Sequence, residues 1–145
     1  MLTAKLFTGL AIATTLYAWV LKHRAGPWVG LYFAVTHFAI AYVHLLLLFS
    51  LNCAVFAALY FAAARWMPNP RSQTLGLLHF AMMLLTIGLF VVVGFIDARH
   101  LHDAQSVVLW RQMYIVLAGC LSFLLSWAVF VVNLGWAVVR AVRVQ

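Results

Sequence analysis

The sequence predicts an all-α integral membrane protein, an up-down bundle of four transmembrane helices, and three observations lead to this fold class. Of the 145 residues, 68% are hydrophobic and only 8% are charged, whereas an ordinary soluble domain has roughly 25% charged residues. Four apolar tracts reach the ~20 residues that a helix needs to cross a bilayer. Backbone that faces lipid must satisfy its own hydrogen bonds, which favours helices joined by short loops. The length suits a single domain, residues 1–145.

The first two tracts differ in how well they fit one span each. Residues 5–22 begin like a signal peptide, but the apolar body is long and no small-residue cleavage site follows, so we interpret them as a retained first helix. Gly26-Pro27 breaks the chain after it. Residues 28–66 are too long for one perpendicular span. We therefore expect the first turns of this second helix to project from the membrane or to lie along its surface.

Two prolines, Pro68 and Pro70, stop the second helix because neither can continue the hydrogen-bond ladder. The pattern predicts a third helix over residues 73–96, a polar loop over 97–103, and a fourth helix running to Arg140 with Asp103 as its N-cap. Tryptophans lie near the predicted helix ends, as the aromatic belt of a membrane protein requires. They are Trp28, Trp66, Trp110 and Trp136.

The formal net charge of +7 indicates lipid head groups rather than nucleic acid, since the basic residues lie at the ends of the apolar tracts. One side of the predicted bundle holds Lys5, Arg65, Arg71, Arg140 and Arg143, and the other holds Lys22, Arg24, Arg99 and Arg111. This excess of five over four favours both termini in the cytoplasm.

Histidines are the residues with the most obvious site chemistry. His37 and His44 are seven residues apart, which would place them on one face of the second helix. His79 lies near the start of the third helix, and His100 and His102 lie in the polar loop. Ionisable groups inside a membrane usually face the bundle and often have a function. We therefore weigh His44 as a ligand against a structural role, and expect only weak, adventitious copper or zinc binding by the loop pair.

Two successive segments resemble helices of the heme-copper oxidase catalytic subunit. Residues 41–68, AYVHLLLLFSLNCAVFAALYFAAARWMP, are similar to its tenth helix, which carries a His-x-His pair and an aromatic-rich end. Residues 75–95, LGLLHFAMMLLTIGLFVVVGF, are similar to its eleventh helix, whose signature is Leu-Gly-x-x-His-Phe-Trp. The flanking helices show no comparable match. The chain also resembles free-standing four-helix bacterial proteins that correspond to this part of the subunit, which implies the bacterial inner membrane.

The resemblance implies roles for single residues. In the ungapped alignment His44 falls on the axial ligand of the low-spin heme, which implies a b-type heme. Tyr42 falls on the ligand of the oxygen-reducing heme and removes it, and His79 falls on a histidine that binds no heme iron. A second alignment matches His37 to the first histidine, but the aromatic end then needs a gap. We prefer the ungapped alignment, which implies no oxygen or nitric oxide reduction by this chain alone.

A heme on His44 would need a second axial ligand. From the Pro68 turn, His44 and His79 should differ in depth by roughly 20 Å, so His79 is a poor partner. His37 shares the helix of His44 and cannot reach the opposite heme face. The remaining candidates are Met113, His100 or His102 folding inward, and His44 of a second copy across a two-fold axis.

Three functional hypotheses follow. The first is a small heme b protein for electron transfer or heme holding, with no catalytic site in the chain itself. The second is a cofactor-free interaction or assembly subunit of a respiratory membrane complex, in which polar side chains bond between helices. The third is a metal-handling protein that uses His23, His100, His102 and the loop aspartates, with no diagnostic spacing.

Overall fold

The computed structural model describes residues 1–23, 28–33, 36–66, 73–100 and 106–143. In chain order the elements are α1 (Leu2–His23), β1 (Trp28–Phe33), β2 (Thr36–Ala41), α2 (Tyr42–Trp66), α3 (Gln73–His100) and α4 (Ser106–Arg143). Each helix contains a segment long and apolar enough to cross a membrane: Leu2–Lys22, Val43–Arg65, Gln73–Val93 and Gln112–Arg140. The prediction of four membrane helices is confirmed, and the chain is a multi-pass membrane protein.

The segment before α2 departs from the prediction. Residues 28–33 and 36–41 do not form the first turns of the second helix; they form an antiparallel strand pair, called the hairpin below, in which Trp28 is paired with Ala41 and Phe33 with Thr36. Aromatic and β-branched residues favour strands, and these twelve strand residues are rich in both. In a continuous apolar run, the spacing of apolar residues does not distinguish a strand from a buried helix. The sequence pattern alone therefore assigned this segment to the wrong type of element.

The last two helices end later than predicted. α3 continues to His100 instead of ending at residue 96, and α4 runs from Ser106 to Arg143. His100 is therefore the last residue of a helix and not a loop residue. The end of α3 differs from its predicted end by four residues, which is more than the one or two residues by which helix ends usually vary. Asp103 and His102 lie outside the described residues.

Contacts within the described part of the chain show that consecutive helices run in opposite directions. Between α1 and α2, Thr15 bonds to Ser50 and Phe7 packs on Phe56. The earlier residue of α1 thus meets the later residue of α2, as in an antiparallel pair. The same holds between α2 and α3, where Tyr60 meets His79 and Phe49 meets Phe90, and between α3 and α4, where Met82 meets Ser122 and Phe90 lies beside Gly119. This is the up-down order that the sequence predicts.

Small residues allow helices to approach closely at two places, between α1 and α3 and between α3 and α4. A Cβ atom added at Gly76 would lie 2.6 Å from Thr3 Oγ1, and one added at Gly119 would lie 2.8 Å from the Phe90 ring. Membrane helices pack mainly through such close van der Waals contact, because lipid is as apolar as the side chains. The outer surface accordingly remains apolar, with large exposed side chains such as Leu51, Leu85 and Leu124 on α2, α3 and α4.

Candidate functional site

His44 lies in the first turn of α2 and its side chain is exposed. We expected ionisable groups inside the membrane to face the interior of the bundle, and for His44 in the single chain that expectation is wrong. The second strand of the hairpin ends at Ala41, so the helix begins at Tyr42 and His44 is close to the start of the membrane span rather than deep within it. Side chains three, four and seven residues later share its face, and all three, Leu47, Leu48 and Leu51, are exposed as well.

His37 does not share a helix face with His44, which corrects the expectation from their spacing. His37 lies in β2, opposite Tyr32 of β1. The spacing of seven therefore does not correspond to two helical turns. Tyr42 is the first residue of α2. For His37, Tyr42 and His100 the structure describes the backbone element but not the side chain. It therefore does not test their ligand roles.

Met113 lies in α4 with a half-buried side chain. Phe49 of α2 contacts Phe123 of α4, and these two helices run in parallel because Phe56 contacts Trp127 further along. Extended back along the helices, the first contact puts Met113 opposite residue 39 and the second puts it opposite residue 42, which is about 3–7.5 Å beyond the level of His44 at 1.5 Å per residue. The fold therefore places Met113 slightly beyond His44 along the bundle.

His79 occupies the centre of the bundle and is fully buried. Its ring is surrounded by an aromatic cage, defined here as Phe7, Phe56, Tyr60 and Phe130. The ring centroids lie 4.7 Å from Phe7, 4.4 Å from Phe56, 5.7 Å from Tyr60 and 5.3 Å from Phe130. These residues come from α1, α2 and α4, so the four helices of the fold all contribute to the packing around one imidazole.

A hydrogen-bond chain holds the His79 ring in place. Tyr60 Oη lies 3.0 Å from His79 Nδ1, and Asn133 Nδ2 lies 3.4 Å from Tyr60 Oη. If Asn133 donates to Tyr60 and Tyr60 donates to Nδ1, the imidazole proton is on Nε2. If the Asn133 amide is turned over, His79 donates to Tyr60 and Tyr60 donates to the Asn133 oxygen, which leaves a lone pair on Nε2. Nε2 itself has no partner in either arrangement.

A second polar layer lies next to His79 between α3 and α4. Ser122 Oγ donates to the Met82 carbonyl at 2.9 Å, and Thr86 Oγ1 donates to the same carbonyl at 3.0 Å. One helical turn closer to His79 lies Ser126, which is fully buried and whose hydroxyl has no partner. The interior of this apolar bundle thus contains a row of polar groups rather than a single histidine.

The interior does not fit a heme on His79. Aromatic rings lie at contact distance around the imidazole, and a porphyrin would need the space that these rings fill. His79 is level with Tyr60, which is sixteen residues after His44, about 24 Å along α2. This agrees with the expected depth difference and keeps His44 and His79 apart. Within the described ranges no three His, Cys, Asp or Glu residues are grouped to hold a metal ion.

The sequence reasoning named His79 but missed Tyr60 and Asn133 as its partners. A signal for Tyr60 was present: Tyr60 lies nine residues before Asn69 and His79 lies ten residues after it, so the two are almost equally far from the connection between α2 and α3. Residues at equal distance from the turn of an antiparallel helix pair lie at the same depth. Asn133 has no such signal, because its depth depends on the register of α4.

Comparison with models of protein families, with curated proteins and with solved structures gives no match. The geometry described above and the chemistry of its residues therefore carry the functional argument.

Proposed function

We propose that this protein binds a b-type heme at the outer surface of α2, with His44 as one axial ligand, for electron transfer or heme holding in the membrane. The observation that carries the proposal is the exposed imidazole of His44 on a face of α2 that is otherwise leucine. A low-spin heme site needs an axial imidazole, hydrophobic surroundings and a second axial group. The heme would supply one-electron chemistry, and the leucines would cover its face.

The second axial ligand comes from outside this chain in our proposal. His79 lies about 24 Å along the bundle from His44, and the bundle interior is filled around His79. Met113 lies two to five residues beyond the level of His44 and is half-buried, whereas His44 is exposed. An exposed ligand can pair with its own copy across a two-fold axis, the most common symmetry of oligomers. A homodimer with His44 on both sides of one heme is the simplest arrangement that satisfies the iron.

The resemblance to the heme-copper oxidase helices supports the same residue, because His44 aligns with the low-spin ligand. It also supports a limit on the activity. Tyr42 stands at the position of the other heme ligand, so we expect no reduction of oxygen or nitric oxide by this chain alone. Pure protein that turns over either gas, and loses that activity on substitution of Tyr42, would contradict the alignment.

A second candidate is a cofactor-free interaction or assembly subunit of a larger respiratory membrane complex. The observation that favours it is the use of interior hydroxyls as links between helices. Ser50 Oγ lies 2.6 Å from Thr15 Oγ1 and donates to the Ala11 carbonyl at 2.9 Å, and Ser122 links α4 to α3. A bundle closed in this way can serve as a rigid packing partner without any cofactor.

For the location we propose the bacterial inner membrane with both termini in the cytoplasm. Four membrane helices in up-down order place the two termini on the same side. The excess of basic residues on that side, five against four, supports the cytoplasm through the positive-inside rule.

The test is the reduced-minus-oxidised visible spectrum of the protein purified in mild detergent with heme supplied during expression. We expect a b-type signal in the wild type, loss of that signal in His44→Ala, and retention of it in His79→Phe, the matched control in the bundle interior. A colourless wild type that still co-purifies with other membrane subunits would reject heme binding and favour the second candidate. A signal that survives His44→Ala would reject His44 as the ligand.

A further inference from the structure

Among the residues that the structure describes, three buried side-chain polar atoms lack a hydrogen-bond partner: His79 Nε2, Ser126 Oγ and Asn133 Oδ1. Their residues are 0%, 0% and 1% exposed. Nearly all buried polar groups in folded proteins are satisfied by protein or by ordered water, so each exception calls for a partner. In a membrane span the demand is stronger, because lipid offers no hydrogen bonds.

Two of the three atoms belong to the same layer of the bundle. Ser122 bonds to the Met82 carbonyl across the α3–α4 contact, and these helices are antiparallel. One turn back along α3 from Met82 is His79, and one turn forward along α4 from Ser122 is Ser126. Phe130, on the turn of α4 that follows Ser126, touches the His79 ring. Ser126 is thus the hydroxyl on α4 at the level of His79.

His79 Nε2 needs a hydrogen-bond partner in both arrangements of the hydrogen bonds that link Asn133, Tyr60 and His79. Nδ1 is engaged by Tyr60, and the two ring nitrogens point in divergent directions. Depending on the tautomer, Nε2 is either a donor or an acceptor. The Ser126 hydroxyl can also act as either. Any ligand shared by the two must therefore be able both to donate and to accept.

We infer that a water molecule binds in this layer and bridges His79 Nε2 and Ser126 Oγ. Water matches both tautomers, and buried waters in proteins typically have two to four such polar partners. A metal cation fits poorly, because the described residues hold no group of three His, Cys, Asp or Glu side chains, and Asp97 of α3 is eighteen residues from His79, about 27 Å along the helix. Asn133 is two turns from Ser126, about 10 Å along α4, so its free oxygen does not share this water. The inference does not depend on heme binding at His44.

The hydration of His79 can be measured by nuclear magnetic resonance on protein with 15N-labelled histidine in lipid nanodiscs. A bound water that persists should give a cross-peak between water protons and the His79 imidazole, although the ring is fully buried within an apolar bundle. His79→Phe assigns the peak by removing it. We expect Ser126→Ala to abolish or strongly weaken the peak, and Ser122→Ala to retain it, because the Ser122 hydroxyl is already bound to Met82.

The outcomes separate cleanly. An imidazole signal for His79 in the wild type with no water cross-peak would overturn the inference, even if neither serine variant folds. A peak that persists unchanged in folded Ser126→Ala would overturn the assignment of Ser126 as the second partner. Loss of the peak in Ser122→Ala as well as in Ser126→Ala would contradict the specific layer and indicate a general loosening of the α3–α4 contact.

Discussion

Removal of the Tyr60 hydroxyl should destabilise the bundle by an amount that the structure allows us to estimate. Tyr60→Phe keeps the ring that stacks on Phe7 at 5.9 Å and deletes only the oxygen between His79 and Asn133. Interhelical hydrogen bonds in membrane proteins contribute about 0.6 kcal/mol on average and about 1.7 kcal/mol at most. A buried polar group left without its partner costs about 1–3 kcal/mol. The bonds to His79 and Asn133 are both lost here, and the second of them is long, so we expect a loss of about 1–3 kcal/mol in the free energy of unfolding.

The assay is equilibrium unfolding in mixed micelles, with Tyr114→Phe as the matched control. Tyr114 is 64% exposed, so its substitution should change the unfolding free energy by less than ~0.5 kcal/mol. A double-mutant cycle with His79→Phe measures the interaction energy between Tyr60 and His79. In the His79→Phe background, Tyr60→Phe should lower the free energy of unfolding by about 0.6–1.7 kcal/mol less than it does in the wild type. If Tyr60→Phe behaves like Tyr114→Phe, or if the cycle shows no coupling, the hydrogen-bond chain does not hold the bundle interior as described.

Three further predictions concern packing and orientation. Gly119→Ala should destabilise the protein by about 1–3 kcal/mol through overpacking, because the added Cβ would lie 2.8 Å from the Phe90 ring. At Gly135 an added Cβ would meet nothing within 4 Å, so Gly135→Ala should be neutral or stabilise the protein by about 0.5–1 kcal/mol. If Gly119→Ala and Gly135→Ala change the free energy of unfolding equally, the close α3–α4 contact at Gly119 is contradicted. Ser50→Ala should weaken the α1–α2 pair by about 0.6–1.7 kcal/mol, whereas Thr8→Ala, which loses a bond to its own helix, should cost less when both are measured by the same unfolding assay. Reporter fusions should place both termini in the cytoplasm together with the connection between α2 and α3, and a reporter in that connection found outside would reverse the proposed orientation.

The four spans could be predicted because length and composition decide them. An apolar tract of about twenty residues has few alternatives to a helix in lipid. The end of the second helix could also be predicted locally, because Pro68 and Pro70 lack the backbone N–H that would continue its hydrogen bonds. The hairpin before α2 could not be predicted by the same reasoning. Its residues are as apolar as those of a span, so no period distinguished a strand pair from a helix, and His37 was consequently assigned to the wrong element.

The candidate site was predictable only in part, and for reasons of geometry. Depth along a helix follows from counting residues, which is why the separation of His44 and His79 came out close to that in the structure. The direction in which a side chain points depends on how the helices rotate against one another. Helices that are apolar on every face give little hint of this rotation, so the sequence did not reveal that His79 is turned into the bundle and His44 away from it.

The most direct test of the proposed function is a heme titration of the purified protein, followed by the absorbance of the bound b-type heme. Two copies that share one heme through His44 should saturate at one heme for every two chains, with the protein running as a dimer when loaded and with neither property retained in His44→Ala. Saturation at one heme per chain by a monomer would contradict the shared site. No saturable binding at all would contradict the proposed function itself.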